Sequence, residues 1–260
     1  FDANISERVY RNVERCLELL DRINIKGTFF IQGLVAEQRS EVVKLIDQSG
    51  HEIASHGYSH RPVHQMTRKR FKEEINITND LIENITGKKV KGFRAPDFTI
   101  FNNMHFAFDV LEECGIEYDS SMFPFQMRRY GNPGCSAGIF KIKGYNLIEF
   151  PVSILNIWKF KIPVAGGGYI RLLPSIFLEI ALRNINAEGR PFVMYCHPYE
   201  FDPYEWSMII EKIPFYRKMH QGIGRKSFPR KISKIMEDNN FSSFENFLEL
   251  SDFIKEDTCP

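Results

Sequence analysis

The sequence predicts an α/β fold in which helices alternate with the strands of a parallel sheet. Short apolar runs rich in β-branched and aromatic residues take turns with longer segments whose apolar residues recur at helical spacing. Several helical segments are followed by glycine, a residue that often ends a helix. With 260 residues, 43% of them hydrophobic, the chain is long enough for one large core. The candidates at this length are a closed or partly open (β/α) barrel and a doubly wound sheet.

The first half of the chain shows the alternation most clearly. In the first helix, apolar residues such as Val9, Val13 and Leu17 recur at helical spacing and form one core face. The run that follows is apolar and β-prone, which is typical of a buried strand in a parallel sheet. The predicted elements are a helix that begins at the N-cap residue Ser6, a strand at 27–31, a helix at 36–49, a strand at 52–55, a helix at 67–86, a strand at 90–93 and a helix at 103–114.

The second half is less regular. Residues 124–170 contain many glycines and prolines, and this composition predicts loops and hairpins inserted over one end of the sheet. A helix with proline at its start is predicted at 174–187, and a strand at 192–196. The tail from residue 205 is locally basic and is predicted to pack as helices on the outside. Because no repeat or long linker divides the chain, residues 1–260 are expected to form one domain.

Composition limits the partners and the compartment of the protein. The 34 basic and 33 acidic residues give a net charge of +1, so no overall field attracts nucleic acid or an anionic membrane. Five cysteines without a C-x-x-C pair predict free thiols in a reducing compartment, and hence a cytoplasmic protein. No apolar run is long enough to span a bilayer. No secretory signal is recognisable, but a chain that opens on Phe1 carries little information on this point.

Four of the seven histidines lie within a short stretch, which is the first sign of specific chemistry. His56 with His60, and His60 with His64, have a spacing that lets two imidazoles reach one zinc ion at about 2.0 to 2.1 Å. Pro62 disfavours a regular helical turn between the second pair, so His56 and His60 are the predicted ligands. The alternative is a set of solvated loop histidines. His56, however, directly follows a predicted strand, at the end where barrel active sites are assembled.

Two further polar residues leave the ends of predicted strands. Arg94 follows the strand at 90–93 and precedes Pro96, which stiffens the next turn. His197 ends the strand at 192–196. Taken singly, these are explained equally well as a surface arginine in a turn and as a core histidine bonded to a backbone carbonyl. Because the carboxyl ends of parallel strands meet at one edge of a sheet, the two residues together with His56 predict a single site.

These motifs, in this order, resemble those of the polysaccharide deacetylase family. They are KGTFF at 26–30, GHEIASHGYSH at 50–60, RAP at 94–96, YDSS at 118–121 and HP at 197–198. A GGGY run at 166–169 and an HPYE run at 197–200 are further similar to a branch found with bacterial exopolysaccharide biosynthesis. The resemblance implies a distorted (β/α) barrel, usually of seven strands, that removes N- or O-acetyl groups from sugars. It therefore implies an N-acetylated glycan as substrate.

The resemblance also implies roles for residues of this chain. His56 and His60 would bind Zn²⁺ or another divalent transition metal, Arg94 would brace the catalytic base, and His197 would be the general acid. Zinc can polarise an acetyl carbonyl, and an imidazole with a pKa near about 6.5 can protonate a departing amine. Glu200 is expected to orient the histidine at 197, with an exposed carboxylate as the alternative. The residues expected to meet the substrate or its oxyanion are Asp97, Phe98, Gly167 and Tyr169.

The chain departs from the family pattern at its start. Family members begin with a strand that carries a catalytic-base aspartate and a metal-binding aspartate, and no such pair is recognisable here. We expect this first strand to lie before residue 1. The alternative is that Asp2 is a remnant of this strand. Two classes of function follow, a metal-dependent deacetylase and a non-catalytic carbohydrate-binding relative. Hydrolysis of a small cyclic amide on the same scaffold is a further alternative.

Overall fold

A six-stranded sheet forms the centre of the protein. The computed structural model describes residues 7–127, 131–204 and 222–250. The strand order is β1-β2-β3-β4-β6-β5, in which β5 and β6 pair antiparallel and every other pair is parallel. The strands are β1 (Thr28–Ile31), β2 (Glu52–Ser55), β3 (Gly92–Phe93), β4 (Tyr118–Asp119), β5 (Phe140–Lys141) and β6 (Ile148–Glu149).

Helices connect the parallel strands in the predicted order. In the first half they are α1 (Arg8–Arg22), α2 (Gly33–Gln38), α3 (Ser40–Gln48), α4 (Arg68–Thr86) and α5 (His105–Glu113). The second half holds α6 (Gly167–Leu172), α7 (Ser175–Ala187), α8 (Phe228–Glu237) and α9 (Phe244–Leu250). The predicted helices that correspond to α1, α4, α5 and α7 are confirmed, whereas the predicted N-cap residue Ser6 lies outside the described residues. At the ends of α4, the Thr67 hydroxyl accepts a hydrogen bond from the Arg70 N–H, and Gly87 adopts φ 71°.

Two predictions of secondary structure are wrong. The helix expected at 36–49 is two helices, because the backbone of Arg39 leaves the helical region at φ −139°. The strand expected at 192–196 is extended chain that joins no ladder of the sheet. Its backbone bonds instead to loop residues: the carbonyl of Val193 accepts from the Ser153 N–H, and the Tyr195 N–H donates to the Ala165 carbonyl.

The irregular region at 124–170 contains the predicted loops and hairpins. Besides β5 and β6, it forms a separate antiparallel hairpin of β7 (Ile154–Ile157) and β8 (Phe160–Pro163). Its glycine triplet does not form a flexible tip, since Gly167 begins α6. The described part of the tail forms the helices α8 and α9, and α8 buries Phe228 and Ile232.

The fold is an α/β distorted barrel with a cavity along one side of β1. Strand β1 is an edge strand of the sheet, and the extended segment 191–197 lines the cavity together with it. Apolar residues of α3, α4 and α5 belong to the largest core cluster. Close packing requires glycine at position 92, because a Cβ atom there would lie 2.0 Å from the Tyr118 ring. The count of seven strands stays a prediction.

Candidate active site

His56 stands at the carboxyl end of β2 with one ring nitrogen already engaged. Its Nδ1 lies 2.7 Å from the backbone carbonyl oxygen of Arg94. A carbonyl only accepts, so Nδ1 carries the proton and Nε2 keeps its lone pair. Burial, followed by the nearby His60, lowers the pKa of His56 to about 3. The ring is therefore neutral at ordinary pH, and the hydrogen bond at Nδ1 fixes its tautomer and orientation, as is typical of a metal-binding histidine.

His60 faces the same space from the loop that follows β2. The ring centroids of His56 and His60 are 5.1 Å apart, and the planes meet at 71°. The loop reaches this geometry through two left-handed residues, Gly57 at φ 68° and His60 at φ 57°. Two imidazoles in this arrangement fit one tetrahedral metal ion as two of its ligands.

Glu74 of α4 holds the loop between the two histidines. Its buried carboxylate accepts hydrogen bonds from the N–H groups of Tyr58 (3.2 Å) and Ser59 (3.0 Å) and from the Ser59 hydroxyl (2.7 Å). Arg70 donates to the same carboxylate at 3.2 Å. Sequence reasoning missed this residue, although a carboxylate on the buried face of a helix, between Phe71 and Thr78, is an available signal.

The other clustered histidines lie apart from this pair. His64 is exposed, packs against the Phe101 ring at 5.7 Å and does not line the cavity. His51 is buried, and its Nδ1 accepts a hydrogen bond from the Gly27 N–H at 3.1 Å. Burial, with the charge of Lys26, lowers the pKa of His51 to about 4, so this histidine is a neutral part of the core.

Arg94 presents a buried cation to the cavity. Its side chain is only 8% exposed, donates to the carbonyl and hydroxyl oxygens of Ser120 at 3.0 and 2.7 Å, and lies 4.2 Å above the Phe30 ring. Burial lowers its pKa to about 10, so it remains charged. Within the described part of the chain it forms no ion pair with a carboxylate. A buried guanidinium of this kind favours an anion beside it.

His197 follows the extended segment and is placed by a short 3₁₀ turn, Pro198–Phe201. Its ring stacks on Tyr199 at 4.9 Å, and its Nδ1 lies 3.7 Å from the Glu200 carboxylate. That carboxylate also accepts a hydrogen bond from the His197 N–H at 2.9 Å. Arg171 donates to it at 2.9 Å, in an ion pair that is almost fully buried.

Two observations show how firmly Glu200 is held. A Cβ atom at Gly167 would lie 1.8 Å from its carboxylate, so glycine is required there. Burial by itself raises the pKa of Glu200, but hydrogen bonds from His197 and the charge of Arg171 outweigh it and hold this pKa below its usual value. Glu200 is therefore an anion beside the histidine ring. Neither Gly167 nor Tyr169 lines the cavity. Gly167 packs against the Glu200 carboxylate instead.

The predicted substrate residues at 97 and 98 do reach the cavity. Both lie in the 3₁₀ turn Pro96–Phe98 with left-handed backbones, at φ 53° each. Asp97 is exposed, whereas the ring of Phe98 is buried against Tyr195, 4.9 Å away. Asp97 is thus more accessible than the ring of Phe98.

The structure brings four predicted residues to one cavity of about 1200 Å³: His56, His60, Arg94 and His197. Residues 7–127, 131–204 and 222–250 contain no group of three His, Cys, Asp or Glu side chains that could hold a metal ion. The histidine pair therefore fits a metal only as a partial ligand set. The described cysteines 16, 114, 135 and 196 are free thiols, and none of the described helices is long and apolar enough to cross a membrane.

Fold and site define an α/β barrel with a histidine-lined cavity at the carboxyl ends of its strands. Residues 1–118 match the family described as "Polysaccharide deacetylase". Residues 120–249, half of the chain, match "Domain of unknown function (DUF3473)". Residues 1–118 of the chain therefore belong to the polysaccharide deacetylase family, and residues 120–249 belong to the family of unknown function.

Two curated relatives match part of the chain. "Peptidoglycan deacetylase" of Helicobacter pylori is 33% identical over 110 residues, which are 42% of this chain and 36% of the relative. "Peptidoglycan deacetylase-like protein FGM2" of Gibberella zeae is 38% identical over 112 residues, 42% of this chain and 32% of the relative. The chain thus spans about a third of the length of these curated relatives.

Two solved structures share the fold. A "putative polysaccharide deacetylase" from Mycobacterium smegmatis has a TM-score of 0.60 at 22% identity, over 92% of this chain and 76% of that one. A CE4 family pseudoenzyme from Bacillus anthracis has a TM-score of 0.52 at 14% identity, over 92% and 61%. At these identities the likeness concerns the fold alone.

Proposed function

We propose that this protein removes acetyl groups from N-acetylated sugar units of a poly- or oligosaccharide, with Zn²⁺ or another divalent transition metal as cofactor. The observation that carries the proposal is the convergence of His56, His60, Arg94 and His197 on one cavity. The branch linked to exopolysaccharide biosynthesis belongs to the same proposal, and rests on the resemblance of the runs at 166–169 and 197–200.

Different residues of the chain have different roles in amide hydrolysis. His56 and His60 would hold the metal, His56 through Nε2 because its Nδ1 donates to the Arg94 carbonyl, and the metal would supply Lewis-acid polarisation of the acetyl carbonyl. Arg94 positions an anionic base through its buried guanidinium. His197 donates a proton to the leaving nitrogen, which is a poor leaving group without it. Glu200, fixed by Arg171, sets the orientation of that imidazole.

The base and the third protein ligand are proposed to come from a strand beside β1. This edge of the sheet borders the cavity, so a further parallel strand would have room there and would bring its side chains next to Arg94 and His56. The described residues supply no third side chain that completes a metal site with the two histidines. Asp2, the alternative source, lies outside the described residues.

A non-catalytic relative that binds carbohydrate is the second candidate. The observation that favours it is the partial ligand set, since a catalytic zinc normally has three protein ligands. Such a protein would keep the cavity and bind the glycan without releasing acetate.

Acetate release separates the two candidates. The full-length natural chain is incubated with N-acetylglucosamine oligosaccharides and Zn²⁺, and wild type is compared with His56→Ala, His197→Ala and His64→Ala. We expect His56→Ala to abolish acetate release, His197→Ala to lower kcat by about a hundredfold, and the control His64→Ala to match wild type. Oligosaccharide binding without acetate release by wild type would instead establish the non-catalytic relative.

A further inference from the structure

The β7–β8 hairpin carries an apolar face out of the body of the protein. Its strands pair Leu155 with Ile162 and Ile157 with Phe160, so these four side chains share one face. At the base Leu155 is buried in the core. Farther out Phe160 is 73% exposed, and Trp158 at the turn is 100% exposed. The apolar surface therefore continues from the core into solvent.

The fold itself gives no reason for tryptophan at the tip. Trp158 packs against nothing, and its backbone has φ 55°, a conformation that hairpin turns usually assign to Asn, Asp or Gly. A bulky residue at this position costs backbone strain and leaves a large ring in water. A residue that serves neither packing nor the turn is typical of an interaction surface.

The charges of the hairpin are all positive. Lys159 and Lys161 are its only charged residues, and no Asp or Glu occurs from residue 150 to residue 178. Helix α7 packs against β7, and the nearest carboxylates along it, Glu179 and Glu188, are each held in an ion pair, with Lys234 and Arg190 respectively. Lys161 donates to the Pro133 carbonyl, a neutral partner that leaves its charge uncompensated. The tip is thus locally cationic although the whole chain is close to neutral.

We propose that the β7–β8 hairpin docks the protein on the surface of an anionic lipid bilayer. Trp158 and Phe160 would lie at the level of the headgroups, where aromatic rings are favoured, and Lys159 and Lys161 would reach the lipid phosphates. A sugar platform would need polar side chains beside the rings to bind hydroxyl groups, and the hairpin offers only Asn156 besides its lysines. This proposal is independent of the deacetylase activity.

The fluorescence of Trp158 can be used to measure the docking. The chain has two tryptophans, so Trp206→Phe leaves Trp158 as the single emitter. The variant is titrated at low salt with vesicles of phosphatidylglycerol and phosphatidylcholine, and with vesicles of phosphatidylcholine alone. We expect a blue shift of emission and co-sedimentation with the anionic vesicles only, both weakened by added salt. Lys159→Gln with Lys161→Gln should weaken binding by about tenfold or more.

Variants of the tip complete the test. On the wild-type background, Trp158→Ser with Phe160→Ser should abolish sedimentation, while Leu250→Ser, which removes another exposed apolar side chain, should not. Circular dichroism checks that each variant is folded. Three results would overturn the proposal: no shift with anionic vesicles, an equal shift with neutral vesicles, or a shift produced by glycan fragments without lipid. Self-association that the tip variant abolishes would assign the hairpin to contacts between copies of the chain and would also overturn it.

Discussion

Asp119 and Glu149 form a buried carboxyl pair behind Arg94. They are register partners on β4 and β6, and both are fully buried. Asp119 accepts a hydrogen bond from Ser121, and Glu149 accepts one from the Met122 N–H at 2.8 Å. Burial raises the pKa of Asp119 to about 7, and burial together with Asp119 raises the pKa of Glu149 well above its usual value. The folded protein therefore retains at least one proton on this pair.

This retained proton makes stability depend on pH. In the unfolded chain both groups lose their protons near pH 4, so between about pH 5 and 7 unfolding releases protons from the pair. The contribution of the carboxyl pair to the free energy of unfolding is complete below pH 4. It is lost as the pH rises through about 7, at about 1.4 kcal/mol per pH unit for each proton. We expect the stability of Asp119→Asn relative to wild type to rise between pH 5 and 7, measured by urea unfolding.

The comparison must be relative because His51 and His56 act in the opposite direction. Their lowered pKa values make the folded state more stable as the pH rises towards neutrality. The difference between Asp119→Asn and wild type cancels these histidines. A difference that stays constant from pH 5 to 7 would show that Asp119 holds no proton of its own in the folded state.

Individual residues differ in how far the sequence reveals them. His56 and Arg94 could be placed because each directly follows a short strand, and neighbouring parallel strands end at one edge. Glu74 could be singled out as a buried carboxylate, but its contacts could not be predicted, because its partners lie 15 and 16 residues away on another element. The contact between Asp119 and Glu149 could not be predicted either, since only the order of the strands in the sheet brings them together.

The loop from β2 to α4 shows the same limit at the level of an element. Helical spacing suggested that His56 and His60 lie one turn apart, but they lie on a left-handed loop that Glu74 holds from α4. Segment 192–196 has the composition of a strand and yet pairs only with loops. Composition predicts extended backbone, whereas a strand also needs a partner in register.

The loop contacts of Glu74 can be tested by hydrogen exchange. Glu74→Gln replaces a buried anion that accepts from Tyr58 and Ser59, and loss of such a bond costs about 1 to 3 kcal/mol. We expect exchange of these two amides to accelerate by about tenfold or more. Glu73→Gln, its exposed neighbour on the same helix, is the matched control and should leave both rates unchanged. Equal rates in the two variants would contradict the assigned role.

At the scale of the whole molecule, the alternation of strands and helices was predicted only through β3 and α5. The remaining strands of the sheet, β4, β5 and β6, are two residues long, and β5 and β6 lie in a region whose glycines and prolines predict loops. Their order in the sheet depends on contacts between distant segments, which no local pattern encodes. The domain boundaries, the cytoplasmic location and the first strand remain predictions.

Helix α9 closes the barrel at the end opposite the histidines. The Phe244 ring lies 4.5 Å from Phe150 and 5.5 Å from Tyr118, between centroids, and its N–H donates to the Thr28 hydroxyl at 2.9 Å. The next N–H, of Glu245, donates to the Glu52 carboxylate at 3.0 Å, which also accepts from Tyr118 and Thr28. The last described helix is thus attached to the first, second and fourth strands of the sheet.

Stability of the whole barrel should therefore depend on a residue near the end of the chain. Phe244→Ala removes a ring that is partly buried among three aromatic neighbours, and we expect a loss of about 2 kcal/mol or more in the free energy of unfolding. Leu250→Ala removes a side chain of the same helix that is 85% exposed and should change this free energy by less than about 0.5 kcal/mol. Urea unfolding followed by far-ultraviolet circular dichroism measures both. If α9 only rests on the surface, the two variants will unfold at the same urea concentration; if it closes the barrel, Phe244→Ala will shift the midpoint of the entire transition, because the strands it contacts unfold with it.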